Sequence, residues 1–304
     1  MAIETGRALE HEATRVAANG TTERVSFRGV EGERVYTYEY RPAAPPRAAV
    51  LICPALHAEF TRSYRREVLL ARRLVADGFA VQRFHYRGTG NSDGDGEDVR
   101  VSTMRDDAAE SLEHLQAWSG VDAPVLVGTR WGALVAAAAA STHPSAGLVL
   151  WEPLLDASRF FRDAFRTKLV NDRKSGIEQP ETGDVLGARL QAGESVDLIG
   201  HTIHAALYQS SVGRTLEGEL GSTPRPMLVI QIATSTTIRP DLASRLEAWR
   251  GAGFAAEVEP VEGAETWWLV DERWTDEGRQ ALTGRLVDLT SEWVAARAAE
   301  RGPA

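Results

Sequence analysis

Short apolar runs alternate with amphipathic stretches along most of the chain. The runs are RAAVLICP, GFAVQRFHY, APVLVGT, AGLVLWEP, RPMLVIQIA and FAAEVEPVEG. Strands that are apolar throughout are typical of a parallel sheet covered on both faces, and helices between such strands supply the crossover connections. The pattern therefore predicts an α/β fold with a mostly parallel central sheet and helices on both faces.

The stretches between these runs have the spacing of amphipathic helices. In the first of them Leu70 and Leu74 recur four residues apart, and Leu282 and Leu286 do so in the last. Such a stripe packs one face of a helix against a core. The predicted helices are about 62–77, 101–119, 131–142, 240–250 and 276–299.

Two regions depart from this alternation. Residues 1–20 are polar and without a clear period, which predicts a flexible leader, and the alternating segments ERVSFRGV and RVYTYEYRP then predict an antiparallel hairpin. Residues 154–220 are too long for a simple connection, so we expect a helical cap insertion there. The core of the fold is then 21–153 and 221–304, with the cap over the carboxyl edge of the sheet, where ligands of such sheets bind.

Composition restricts the kinds of partner. The chain has 304 residues and a formal net charge of −9, which argues against a general role in binding nucleic acid or anionic membranes. Cys53 is the single cysteine, so an internal disulfide is excluded. No signal-peptide pattern and no run of about 18 apolar residues is present. We expect a cytoplasmic protein with no membrane insertion.

One motif carries the candidate chemistry. The segment LVGTRWGALVAA reads as a strand, a tight turn and a helix, with glycines at 128 and 132. This is typical of a nucleophile elbow, in which the central residue of the turn is exposed to the substrate. Arg130 occupies that central position.

Several ordered motifs resemble a known superfamily. FHYRGTGNSDGD, GTRWGALVA and the late insertion together resemble the α/β-hydrolase superfamily over roughly residues 22–298. CPALHAEFTRSYRREVLLARRLVADGFAV and LVLWEPLLDASRFF are similar to segments of the hydrolase-like proteins associated with exosortase A, within the serine-aminopeptidase-like group. The resemblance implies a catalytic serine, an acid and a histidine, in that order, after successive strands.

The chain departs from that pattern at each of the three positions. Arg130 stands at the serine position, and TSTTIRPD, with its first carboxylate at Asp241, follows the strand that would supply the acid. Glu265 or Thr266 stands where the histidine is expected, and no histidine follows His204. We therefore expect no classical serine hydrolysis.

Arg130 suggests a different use of the elbow. A guanidinium at a helix N-terminus concentrates positive charge and forms a bidentate seat for a carboxylate, a phosphate or a carbonyl group. A buried arginine needs an acidic partner, for which we expect Glu152 or Glu265, and such a pair would alternatively close the site. The N–H groups of Trp131 and of Ala55 or Leu56 are the candidates for an oxyanion hole.

Other residues complete the list of candidates. His57, in a loop after the first buried strand, is a candidate general acid or base, and a Cys53–His57 dyad is the alternative. His201 and His204 lie on one face if their segment is helical, and with Trp267 they are candidates for substrate contact. They lack further ligands of suitable spacing, so we expect no metal and no cofactor.

Three functions remain open from the sequence. The first is a protein that binds, and transforms by chemistry other than the triad's, a small molecule with an anionic or carbonyl group at Arg130. The second is a pseudoenzyme scaffold that acts through its surface, in a homo-oligomer or a larger assembly. The third is an unconventional hydrolase or acyltransferase that uses His57, Cys53 or Glu265.

Overall fold

The computed structural model describes residues 13–198, 200–264 and 276–301. Most of its strands are those that the apolar runs predict. The strands are β1 Ala13–Val16, β2 Thr22–Arg28, β3 Val35–Arg41, β4 Ala49–Cys53, β5 Ala80–Phe84, β6 Val125–Thr129, β7 Gly147–Trp151, β8 Val196–Leu198, β9 His201–Ile203, β10 Pro226–Ala233 and β11 Ala255–Glu262.

Nine of the described strands form one sheet, in the order β1-β2-β3-β5-β4-β6-β7-β10-β11. β1, β2 and β3 are antiparallel, as is the pairing of β3 with β5, and the remaining pairs are parallel. Every residue of β4, β5, β6 and β7 is buried. The predicted mostly parallel sheet is confirmed.

Helices cover both faces of this sheet. Those that connect or follow its strands are α1 His57–Ala76, α2 Val101–Ser119, α3 Trp131–Thr142, α8 Pro240–Gly251 and α9 Asp276–Arg301. Buried residues of α2, α3 and α8 belong to one apolar core, and those of α1 and α9 to the other. The two-sided arrangement explains why the central strands are apolar on both faces.

The segment between β7 and β10 contains the helices α4 Ser158–Lys174, α5 Gly183–Gln191, α6 Ala205–Ser211 and α7 Leu216–Leu220. It is not wholly helical, because β8 and β9 form an antiparallel hairpin within it. Its ends are joined, since Ala157 N donates to Arg214 O at 2.9 Å and Leu216 N donates to Leu155 O at 3.1 Å. The segment thus leaves and re-enters the core at one place, and its boundaries at 154 and 220 remain a prediction.

The predicted leader, 1–20, needs a correction in its last part. Residues Ala13–Val16 form β1, which pairs antiparallel with β2 in the register Val16↔Thr22. β1 is exposed along its length, so backbone hydrogen bonds hold it and no apolar period marks it in the sequence.

No helix of the described chain is sufficiently long and apolar to pass through a membrane.

Candidate functional site

Arg130 occupies a strained turn between β6 and α3. Its backbone has φ 53° and ψ −110°, in a region that side-chain-bearing residues rarely adopt. The turn is held because Arg130 N donates to Trp151 O at 3.0 Å and Ala133 N donates to Arg130 O at 3.1 Å. The predicted elbow therefore forms, with an arginine at its centre.

The two glycines of the motif are required by close packing. A Cβ on Gly128 would lie 2.5 Å from Ala133 Cα, and a Cβ on Gly132 would overlap the carbonyl oxygen of Cys53. Real Cβ contacts are never so short, so a side chain at either position would force the backbone apart. The glycines thus let α3 begin against the end of β4.

The guanidinium of Arg130 is buried between two carboxylates. Its Nη2 lies 3.0 Å from Glu59 Oε1 and 3.4 Å from Asp163 Oδ2, and its Nε donates to Glu59 Oε1 at 3.3 Å. Burial raises the pKa of the Glu59 carboxyl, and Arg130 acts in the opposite direction. The contact joins the core, α1 and the insertion, because Glu59 lies on α1 and Asp163 on α4.

Glu152, one of the two acidic partners expected for Arg130, bonds to other groups instead. Glu152 Oε1 accepts from Arg239 Nη1 at 2.6 Å, and its Oε2 accepts from the backbone of Ile232 at 2.8 Å. Glu152 directly follows β7, and these bonds join its carboxylate to the neighbouring strand β10 and to Arg239. The other expected partner, Glu265, lies outside the described residues.

Glu59 was missed because α1 begins earlier than predicted. The helix starts at His57 rather than near 62, and its N-cap Leu56 makes no side-chain capping bond. The usual polar N-cap signal is therefore missing from the sequence. Glu59 stands in the first helical turn instead of in a loop, and this places its carboxyl against Arg130.

Three residues other than glycine have positive φ in the described chain, and all stand at one edge of the sheet. They are His57 at 50°, Arg130 at 53° and Glu152 at 43°. They follow β4, β6 and β7, which are adjacent in the sheet. Backbone strain of this kind costs about 1–3 kcal/mol per residue and tends to cluster at functional sites.

His57 lies close to a histidine of the insertion. Its ring centroid is 5.6 Å from that of His201 and 6.1 Å from that of Phe160. Burial, with smaller effects of His201 and His204, lowers the pKa of His57 to about 4. His57 is therefore neutral near pH 7, and its Nε2 has no hydrogen-bond partner among the described residues.

A pocket adjoins the ion pair. It has an empty volume of about 310 Å³, its open mouth included. Its lining is His57, Ala58, Glu59, Phe160, Asp163, Ala164, Leu198 and Ile203. The second carboxylate oxygen of Glu59, Oε2, is buried and has no hydrogen-bond partner in the described part of the chain. The pocket thus combines apolar walls with polar atoms that can bond a ligand.

The candidate oxyanion-hole residues are placed at the same end of the sheet. Trp131 is the first residue of α3, so no carbonyl of its own helix accepts from its N–H. Ala55 and Leu56 are buried just before α1. The indole of Trp131 packs against Phe160, with ring centroids 5.3 Å apart, and the convergence of the N–H groups on one ligand atom stays a prediction.

His201 and His204 do not share one helix, so the condition for a common helical face is not met. His201 begins β9, and His204 is the N-cap of α6. The β-branched Thr202 and Ile203 favour a strand over a helix here. His201 lies beside His57 but does not line the pocket, and His204 Nδ1 lies 3.0 Å from Ser195 Oγ. Within the described residues no group of three or more His, Cys, Asp or Glu side chains is arranged to hold a metal.

Cys53 is unsuited to the dyad with His57. It ends β4 with no exposed surface, and burial raises the pKa of its thiol. A thiol is a nucleophile only as thiolate, so Cys53 is a core residue. Trp267 and Thr266, like Glu265, lie outside the described residues.

Known structures share the fold of most of the chain. Est1E of Butyrivibrio proteoclasticus, solved with ferulic acid, is 15% identical with a TM-score of 0.61, over 88% of this chain and 99% of that chain. A putative hydrolase of Agrobacterium vitis S4 is 16% identical with a TM-score of 0.55, over 88% and 97% of the two chains. The chain is an α/β-hydrolase-fold protein. The esterase Est2 of Thermogutta terrifontis, solved with butyrate, is 17% identical with a TM-score of 0.52, over 90% of this α/β-hydrolase-fold chain and 94% of its own.

Sequence comparison agrees with the fold. The family described as serine aminopeptidase, S33, matches residues 44–172. The match begins before β4 and ends within α4, so it contains the elbow and the two carboxylates described above, Glu59 and Asp163. No protein of curated function matches the sequence.

Proposed function

We propose that this α/β-hydrolase-fold protein binds a small molecule at Arg130, beneath the insertion, through a carboxylate, phosphate or carbonyl group, and does not act as a serine hydrolase. The observation that carries the proposal is the contact between Arg130 and Asp163. At the elbow, the guanidinium of Arg130 contacts the carboxylate of Asp163, which belongs to the insertion. A ligand carboxylate can take the place of that partner.

The residues at the elbow are unsuited to covalent catalysis. An arginine keeps its proton under ordinary conditions and has no lone pair with which to attack. The last histidine in the sequence is His204, before β10, so no imidazole follows β11. A binding role needs only the permanent positive charge of Arg130 at the start of α3.

Asp163 is the more readily exchanged partner. Its side chain is 30% exposed and 3.4 Å from Arg130, whereas that of Glu59 is 3% exposed and 3.0 Å away. Replacing one carboxylate by another leaves the charge of the cluster unchanged, so the exchange avoids burying an unmatched charge. The pocket has room for about one water molecule as it stands, so a ligand enters when α4 releases Arg130.

The helices beside the pocket are basic in an acidic protein. α1 carries five arginines and two glutamates, and α4 carries six basic and two acidic residues. The chain as a whole has a net charge of −9. Local positive potential raises the encounter rate of anions, which favours an anionic ligand at this pocket.

A ligand with a hydrogen-bond donor fits the remaining polar atoms. Glu59 Oε2 accepts hydrogen bonds only, and His57 Nε2 either donates or accepts according to its tautomer. A hydroxyl or amine near the ligand's anionic group satisfies Glu59, and non-triad proton transfer by His57 is the route to chemistry at this site. With a pKa of about 4, His57 is a weak base.

A pseudoenzyme scaffold is the second candidate. It is favoured by the 1% exposure of the Arg130 side chain and by the two carboxylates that already contact its guanidinium. In that case the ion pair fastens the insertion to the core and no ligand replaces Asp163.

Binding of small anions to matched variants separates the two candidates. We expect calorimetry to detect butyrate, ferulate or inorganic phosphate binding, with Arg130→Met weakening it at least about tenfold through loss of a charged hydrogen bond. Asp163→Asn should strengthen it, because the competing carboxylate is gone. Asp172→Asn on α4, where Asp172 pairs with Lys168 at 2.8 Å, is the control and should change nothing. Equal behaviour of the Asp163 and Asp172 variants supports the scaffold.

A further inference from the structure

A second pocket lies where α2 and α3 meet the two ends of the insertion. It has an empty volume of about 250 Å³, open solvent included, and has room for at most about one water molecule as it stands. It does not include Arg130, Glu59 or Asp163. Its apolar lining is Val101, Trp131, Leu134, Val135 and Ala157. An apolar wall of this kind accepts a hydrocarbon chain or an aromatic ring.

The polar part of this second pocket carries excess positive charge. Glu219, only 5% exposed, lies between two arginines, 3.2 Å from Arg214 Nη1 and 3.7 Å from Arg105 Nη2. Two guanidiniums around one carboxylate leave a net charge of +1. Both arginine side chains are partly exposed, so N–H groups remain accessible to a second anion.

We propose that this second pocket binds an anionic amphiphile, with the hydrocarbon against Trp131 and Leu134 and the head group on Arg105 and Arg214. A carboxylate or a phosphate head serves equally, because a guanidinium binds both. The ligand contacts both ends of the insertion, since Arg214 O accepts from Ala157 N there. Because the pocket is nearly filled by its own buried side chains, binding accompanies a widening of the junction between the insertion and the core.

Titration calorimetry with ten-carbon probes tests this second pocket. We expect decanoate and decyl phosphate to bind, and decanol and decylammonium to bind at least tenfold more weakly. Arg105→Gln should weaken decanoate binding roughly 10- to 100-fold, the range for a lost charged hydrogen bond. Glu219→Gln should strengthen it, because the internal anion is removed. Arg65→Gln, on the exposed side of α1, is the control and should have no effect.

Three results would overturn the proposal. One is decanol binding as tightly as decanoate. Another is loss of binding in Arg130→Met but not in Arg105→Gln, which would place the probe in the pocket beside the elbow and separate the two proposals. The third is no binding of either anionic probe to the wild type and to Glu219→Gln, with circular dichroism showing that both are folded.

Discussion

At the scale of single residues, the elbow arginine is above all a buried charge that the fold must match. Arg130 and Glu59 are both almost without exposed surface, and Asp163 completes the cluster from the insertion. Breaking a buried pair leaves an uncompensated charge, whereas replacing both partners is often tolerated. The cluster therefore has consequences for stability as well as for ligand binding.

A double-mutant cycle measures this coupling. Arg130→Met and Glu59→Gln should each lower the free energy of unfolding by about 3–5 kcal/mol, and the double variant should lose less than the sum. Chemical denaturation is the measurement. The exposed pair Arg73–Asp288, at 2.9 Å, is the control, and its disruption should cost at most about 1 kcal/mol. Additive losses in the buried pair would contradict the arrangement.

The buried histidine makes stability depend on pH. The folded pKa of His57 is about 4, below the ordinary histidine value of 6.5, so the unfolded chain binds more protons between these values. The contribution of neutral His57 to the free energy of unfolding is fully present above about pH 6.5 and is lost as the pH falls towards 4.

His57→Gln should therefore flatten the rise of unfolding free energy with pH across the range from about 4 to 6.5. NMR titration measures the pKa of the His57 imidazole directly. A value of 6.5 would contradict the buried neutral state.

At the scale of elements, the elbow depends on the close approach of α3 to the end of β4. Gly132→Ala should lower the free energy of unfolding by about 1–3 kcal/mol, because the new Cβ overlaps the backbone of Cys53. Gly284 on α9 is the matched control, with no atom within 4 Å of an added Cβ. Gly284→Ala should stabilise the helix by about 0.5–1 kcal/mol. A Gly132 variant as stable as the wild type would show that the contact is not tight.

The elements also show where sequence reasoning succeeds. The buried strands β4 to β7 were predicted because their residues are apolar on both faces, and the elbow because its glycines have a fixed spacing. The start of α1 was not predicted, because Leu56 gives no capping signal. The hairpin of β8 and β9 was missed because two three-residue strands are too short for a periodic pattern.

At the scale of the whole molecule, order along the chain determines the fold, while the partners at the site depend on packing. The sequence placed Arg130 at the elbow, but the residue opposite it depends on where α1 begins. Glu152 appeared suitable by topology, yet its carboxylate is taken by Arg239 and by the backbone of β10. The spacing of residues in the sequence does not predict which of several neighbours a carboxylate will bond.

The proposed function depends on three features together. They are the strained turn, the basic flanking helices and the exchangeable carboxylate. Under the proposed function, the elbow of this hydrolase fold binds an anion instead of attacking an ester. Closure of the insertion is then set by which carboxylate Arg130 holds.

The most direct test is a crystal structure of the protein soaked with ferulate. We expect density for the ligand carboxylate on the guanidinium of Arg130, with Asp163 displaced and Glu59 retained. Density showing ferulate bound elsewhere, with the contacts of Arg130 to Glu59 and Asp163 intact, would contradict it.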